Sequence, residues 1–164
     1  MKTGTLVGVL ALFVVATSAA DTPANEELYG TWRLLSWSRH VVGTAERTEP
    51  FGKAPHGFLN YGRDGRMLAM IVKANRPKPS DVAKMPDQER AKLFKTMLAY
   101  GGTFRVEGDQ VVHSVDISWN ENWTGTAQVR NFRIEGSRLT ITVAPQIGFD
   151  GSEGSAVLTW EKVQ

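Results

Sequence analysis

Apolar and polar residues alternate in short segments along most of the chain, which predicts β-strands rather than long helices. Runs rich in valine, isoleucine, threonine and aromatic residues are separated by glycine and aspartate from Leu28 onward, a pattern typical of an antiparallel sheet, sandwich or barrel. The pairs Asp64-Gly65, Gly108-Asp109 and Gly136-Ser137 are turn signals between such runs, so three consecutive hairpins form a meander. About eight or nine strands are predicted, at residues 31–39, 45–49, 58–61, 67–72, 104–107, 110–118, 129–134, 139–143 and 156–163.

One segment carries a helical pattern instead of the alternation. Pro86 suits the first turn of a helix, two acidic residues follow it, and apolar residues recur at helical spacing from Leu93 to Leu98. We therefore predict one inserted helix at about 81–98. It either covers an opening of the sheet or lies against the outside and buries its apolar stripe.

The strand at 110–118 carries a histidine on its apolar face. Alternation places Val111, His113, Val115 and Ile117 on one side of this strand. An imidazole on an apolar inner surface needs a hydrogen-bond partner or loses its charge. His113 is therefore either a structurally satisfied core histidine or part of a ligand site.

The next strand predicts a polar spot inside an apolar interior. If Phe132 and Ile134 face inward, Gln128 and Arg130 enter the same interior as His113. A few polar groups in an apolar cup are typical of a ligand site. The alternative is that Arg130 reaches one rim and pairs with an exposed acid.

The first twenty residues have the pattern of a signal peptide. Lys2 precedes an apolar run of about 11 residues, Leu6 to Ala16, and the small residues Ser18-Ala19-Ala20 suit cleavage after Ala20. The run is shorter than the roughly 20 residues of a membrane-spanning helix. We expect a signal peptide at 1–20, one mature domain at 21–164 and a periplasmic or secreted location with no stable membrane span, an uncleaved anchor or a buried N-terminal helix being the alternatives.

Composition and motifs narrow the function. A formal charge of +2 from 19 basic and 17 acidic residues does not favour a nucleic-acid partner, and the absence of cysteine excludes disulfides, thiolate metal sites and a cysteine nucleophile. The hydrolase, kinase, zinc-protease and calcium-loop motifs are missing, and the three histidines lie far apart in the sequence. No cofactor or metal is predicted, and nothing in the sequence specifies an oligomeric state.

Short motifs in a fixed order resemble those of a known family. The segment Leu28 to Leu34 resembles the Gly-x-Trp opening of lipocalins. Motifs similar to those of the bacterial and fungal lipocalin-like domain family follow at Pro50–Gly52, Gly57–Tyr61, Asp64–Met67, Tyr100–Phe104, Val112–Val115, Trp123–Thr126, Gln128–Arg130 and Leu158–Glu161. The resemblance implies an all-β antiparallel barrel around a small-molecule cavity. Lys162 stands where this family often has an arginine that stacks over the first-strand tryptophan, Trp32, and lysine makes a weaker version of that contact.

These patterns predict an exported protein that binds a small hydrophobic molecule, anionic or carbonyl-bearing. Trp119 and Trp123 bracket a polar turn and are expected at the rim, where they can stack on a ligand. The candidate binding residues are Tyr61, His113, Trp119, Trp123, Gln128 and Arg130. One alternative is a cofactor-free isomerase, cyclase, dehydratase or lyase with His113 as acid or base and Arg130 polarising a carbonyl. A second is a structural envelope protein whose barrel is filled.

Overall fold

The computed structural model describes residues 23–148 and 151–163. Nine strands and two α-helices follow one another within these residues, with a short 3₁₀ helix at Glu121–Trp123. The elements are α1 (Pro23–Leu28), β1 (Gly30–Val41), β2 (Arg47–Thr48), β3 (His56–Tyr61), β4 (Arg66–Val72), α2 (Asp87–Lys95), β5 (Met97–Glu107), β6 (Gln110–Ser118), β7 (Ala127–Glu135), β8 (Arg138–Ile147) and β9 (Glu153–Lys162). The predicted signal peptide lies outside the described residues.

The strands form an antiparallel meander that closes on itself. From β3 to β9 each strand pairs with the next, β3 pairs with the first part of β1, and β9 pairs with β1 from Trp32↔Lys162 to Val41↔Gly154. This pairing makes a closed eight-stranded barrel, to which β2 is added as an extra strand beside the end of β1. The predicted all-β fold, meander and strand number are confirmed.

The short and the long connections between strands lie at opposite ends of the barrel. The tight turns after β3, β5 and β7 share one end with α1, and Gly65 and Gly136 adopt positive φ angles of 78° and 60° there. The longer connections after β1, β4, β6 and β8 meet at the other end. We call the end with the tight turns the closed end and the end with the longer connections the open end.

Side chains fill the closed end. Leu28 and Trp32 are fully buried, and the Trp32 Nε1 donates to the Leu28 carbonyl at 2.8 Å. Lys162 Nζ donates to the Glu27 carbonyl at 2.7 Å and lies 4.9 Å from the centroid of the Trp32 ring. The lysine therefore keeps a cation over this tryptophan, as the sequence predicts, and ties α1 to the end of β9.

The inserted helix is shorter than the predicted 81–98. It spans only Asp87–Lys95, and Pro86 precedes it instead of lying in its first turn. Leu98 belongs to β5, where it pairs with Ile71 of β4 and is buried. Strand pairing and burial outweigh the helical spacing there. No residue of α2 is buried, so the helix does not pack an apolar stripe against the outside of the sheet.

A β-bulge in β6 turns Ile117 to the face opposite the predicted one. Gly101 pairs with Ile117 while Gly102 pairs with Val115, so β6 has one extra residue at this point. Ile117 consequently points outward and is 64% exposed, whereas Val111, His113 and Val115 are buried as predicted. A Cβ at Gly102 would lie 1.9 Å from the Ser114 carbonyl oxygen, so only glycine fits this close approach.

Candidate ligand-binding site

A cavity of about 660 Å³ occupies the open half of the barrel. Its volume lies in the range of roughly 300–1,000 Å³ that is typical of small-molecule sites. Its apolar wall comes from strands on all sides and from the loop after β2, and includes Trp37, Phe51, Ile71, Leu98, Ile141 and Leu158. The barrel is therefore not filled throughout. The predicted alternative, a structural envelope protein, requires a filled barrel.

His113 lies in the cavity wall with both ring nitrogens hydrogen-bonded. The imidazole is 1% exposed, its Nε2 lies 2.8 Å from the Tyr61 hydroxyl, and its Nδ1 lies 2.9 Å from the Tyr100 hydroxyl. Burial, followed by the positive charge of Arg130, lowers the pKa of His113 from 6.5 to about 3. The ring is therefore neutral at physiological pH, with one nitrogen donating and the other accepting.

Arg130 brings a buried positive charge to the same part of the wall. Its side chain is 7% exposed and donates from Nη1 to the Val129 carbonyl and from Nη2 to Gln128 Oε1, each at 2.9 Å. Burial raises the pKa of the Tyr100 hydroxyl, and the charge of Arg130 and its hydrogen bond partly offset this rise. No carboxylate within residues 23–148 and 151–163 forms an ion pair with Arg130. The predicted alternative, an exposed acid at the rim, is wrong for the described part of the chain.

Two tryptophans link the open end to Tyr100. The ring centroids of Trp119 and Trp123 lie 5.8 Å apart in an edge-on arrangement, and those of Trp123 and Tyr100 lie 5.4 Å apart. Trp119 Nε1 also donates to the Phe94 carbonyl of α2 at 3.2 Å, and Phe94 and Lys95 line the cavity. The helix thus lies beside the opening of the barrel. Of the two predicted positions, covering an opening or lying against the outside of the sheet, this agrees with the first.

Residues 29–163 match the family model described as a lipocalin-like domain. The chain belongs to the lipocalin-like domain family. A relative from Aspergillus oryzae, named 4'-hydroxy-3'-methoxypropiophenone carrier protein ppsC, is 33% identical over 107 residues, which cover 59% of this chain and 96% of the relative. Family membership confirms the resemblance, and together with the carrier relative it supports binding of a small molecule.

The lipocalin-like barrel brings four of the six predicted binding residues to the cavity wall. His113, Arg130, Trp119 and Trp123 line it. Tyr61 lies behind the wall, where its hydroxyl contacts His113, and Gln128 is a half-buried partner of Arg130. These two residues support the wall but do not form it.

Tyr100 is the site residue that the strand pattern does not reveal. It lies on β5 in a stretch between the predicted helix at 81–98 and the predicted strand at 104–107, so no face could be assigned to it. Its motif, Tyr100–Phe104, is a signal of the family resemblance only. The register of β5 and β6 places Phe104, not Tyr100, opposite His113, so the contact of the Tyr100 hydroxyl with His113 depends on the tertiary geometry of the barrel.

A second buried arginine, Arg39, organises the open end of the lipocalin-like barrel. It is 5% exposed and donates to Ser152 Oγ at 2.7 Å, to the Gln146 carbonyl at 3.2 Å and to the Ser152 carbonyl. A Cβ at Gly148 or Gly154 would lie 2.6 or 2.9 Å from its guanidinium carbon. Arg39 therefore holds the connection between β8 and β9 against β1, and glycine at these two positions leaves room for it.

The geometry favours binding over acid–base chemistry at this site. Both nitrogens of His113 are occupied by tyrosine hydroxyls, and its low pKa makes it a weak base.

Within the described residues no three histidine, aspartate or glutamate side chains group closely enough to hold a metal ion. None of the helices in that part of the chain is sufficiently long and apolar to cross a membrane.

Proposed function

We propose that this protein binds a small, mainly apolar molecule whose carbonyl or anionic oxygen is anchored by Arg130. The supporting observation is that a guanidinium only 7% exposed lines an apolar cavity without a carboxylate partner among the described residues. Removing a charge from water is costly unless opposite charge or hydrogen-bond acceptors compensate it. An oxygen of the bound molecule supplies that compensation.

Apolar contact with the cavity wall contributes the part of the binding affinity that the Arg130 anchor does not. Burying roughly 200 Å² of ligand surface contributes about 5 kcal/mol before the entropy of association is subtracted, so affinity without polar anchors is micromolar to millimolar. The anchor then provides selectivity. The molecule in the name of the Aspergillus oryzae relative is an aromatic ketone of this class, and it is the natural first probe.

The test compares two arginines of β7 that differ in position. Arg130 faces the cavity, whereas Arg133 lies on the outer surface with a side chain that is 75% exposed. Isothermal titration with 4'-hydroxy-3'-methoxypropiophenone and with aromatic and fatty acids is run on the wild type, Arg130→Met and Arg133→Met. We expect a 10- to 100-fold weaker affinity in Arg130→Met and no change in Arg133→Met, because charge-assisted hydrogen bonds contribute about 1.5–3 kcal/mol. Equal affinities in the wild type and Arg130→Met would refute the anchor.

Export to the periplasm or the medium is a separate part of the proposal. It rests on the apolar run and the small-residue site of residues 1–20, which predict cleavage after Ala20. Mass spectrometry of the protein isolated from its own host tests it. A chain that begins at Asp21 in the extracytoplasmic fraction supports export, and a cytoplasmic chain that retains residues 1–20 contradicts it.

A further inference from the structure

We infer that Tyr100 is the specificity-determining donor of this site, held in that role by Tyr61 through His113, and that the bound oxygen is therefore one that only accepts hydrogen bonds. Carbonyl, carboxylate and phenolate oxygens meet this condition, whereas hydroxyl and amine groups do not. The inference rests on the proposed binding function and specifies the chemical class of the ligand.

The buried position of Tyr61 determines the direction of its hydrogen bond to His113. Its hydroxyl is buried behind the cavity wall, the side chain being 1% exposed, and His113 Nε2 at 2.8 Å is its hydrogen-bond partner among the described residues. A buried hydroxyl that only accepted would leave its own hydrogen without an acceptor, which is unfavourable. Tyr61 therefore donates to Nε2.

The imidazole ring transmits the direction of this hydrogen bond from Tyr61 to Tyr100. Since Nε2 accepts from Tyr61 and the ring is neutral, the single ring proton lies on Nδ1. Nδ1 then donates to the Tyr100 oxygen at 2.9 Å. The hydrogen of Tyr100 is left for another acceptor, and Tyr100 lines the cavity.

Within residues 23–148 and 151–163, His113 is the hydrogen-bond partner of the Tyr100 hydroxyl, and no other acceptor is in hydrogen-bond contact with it. Arg130 has only N–H groups, and it uses Gln128 Oε1 as one of its own acceptors. Since a guanidinium has no acceptor atom, Arg130 cannot receive the hydrogen of Tyr100. The acceptor for Tyr100 is thus an oxygen of the bound molecule, and a hydroxyl at that place would have no acceptor for its own hydrogen.

The position of the His113 proton can be measured without any ligand. Long-range ¹H–¹⁵N correlation spectra of the ¹⁵N-labelled protein separate protonated from unprotonated ring nitrogens by their chemical shifts, with His113→Gln used for assignment. A proton on Nδ1 supports the inference. A proton on Nε2 would overturn it and would leave the proposed binding function untouched.

Selectivity is measured with a ketone and the alcohol of the same skeleton, propiophenone and 1-phenylpropan-1-ol. Titration of the wild type is expected to give at least tenfold tighter binding of the ketone, because the alcohol leaves a hydrogen unpaired. In Tyr100→Phe and in Tyr61→Phe the ratio should fall toward one, although Tyr61 does not line the cavity. Tyr29, which lies between α1 and β1 at the closed end, does not line the cavity. Tyr29→Phe is therefore the matched control and should keep the wild-type ratio.

The possible results distinguish a failure of Tyr100 as the donor from a failure of the proposed binding function. Equal binding of ketone and alcohol by the wild type, or a ratio that survives Tyr100→Phe, would overturn the inference while leaving a binding protein. A ratio unchanged in Tyr61→Phe would overturn the role of Tyr61 and His113 in setting the polarity. Binding of neither compound, nor of the aromatic and fatty acids, would contradict the proposed function and this inference with it.

Discussion

The buried neutral state of His113 predicts how the stability of the fold changes with pH. The pKa of this imidazole is about 3 in the folded protein and about 6.5 in an unfolded chain. Between these values the unfolded chain binds a proton that the folded chain does not. The contribution of His113 to stability is therefore complete well above pH 6.5 and is lost progressively as the pH falls through 6.5 toward 3.

The size of the effect follows from the same two pKa values. Linkage gives a loss of about 1.4 kcal/mol per pH unit below the unfolded pKa, which amounts to about 2 kcal/mol between pH 7 and pH 5. This window lies above the usual titration range of carboxylates. The change is a large fraction of the 5–15 kcal/mol that is typical of whole domains.

Urea denaturation at pH 7, 6 and 5 measures the free energy of unfolding of the wild type and of His113→Gln. Glutamine can bond both tyrosine hydroxyls but does not titrate, so the variant should show a pH slope lower by about 1.4 kcal/mol per unit at the acidic side of this window. If the variant does not fold, NMR titration of the wild-type imidazole replaces it. Identical slopes in the two proteins, or an imidazole that becomes protonated between pH 7 and 5 in the folded state, would refute the reasoning.

Three further predictions concern the bulge, the closed end and the rim. Gly102→Ala should lower the free energy of unfolding by more than about 2 kcal/mol in urea denaturation, because its Cβ would meet the Ser114 carbonyl at 1.9 Å; unchanged stability would contradict this. Lys162→Met should cost about 1 kcal/mol by removing the cation over Trp32, and a loss near zero in the same assay would count against that contact. Trp123→Phe should reduce the change in tryptophan fluorescence on ligand binding, since Trp123 lines the cavity; a full response would place the ligand away from Trp123.

The sequence predicts the fold well where local chemistry decides it. Glycine-containing turns and alternating strands specify the meander, because each hairpin needs only neighbouring residues. The limits of α2 were predicted poorly since apolar residues such as Leu98 satisfy helical spacing and strand burial alike. Pairing with Ile71, which is distant in sequence, decides between them. Ile117 was misplaced for a similar reason, as one extra residue in β6 inverts the alternation beyond it.

The candidate site is predictable to the extent that alternation holds. It places His113 on an inner face, and Arg130 as well if Phe132 and Ile134 face inward; both His113 and Arg130 line the cavity. It does not reveal that Tyr61 and Tyr100 hold the two nitrogens of the imidazole, because two strands separate β3 from β6 and the register of β5 and β6 places Phe104, not Tyr100, opposite His113. Sequence periodicity gives the face of a residue, and the hydrogen-bond partner depends on tertiary geometry.

Native mass spectrometry of the protein freshly isolated from its own host tests most directly whether the open half of the barrel holds a small molecule. We expect the mass of one chain plus one small molecule that dissociates on denaturation, and a depleted complex in Arg130→Met prepared in the same way. Only the bare chain in the wild type, together with no binding of the ketone and acid probes in titration, would contradict the account.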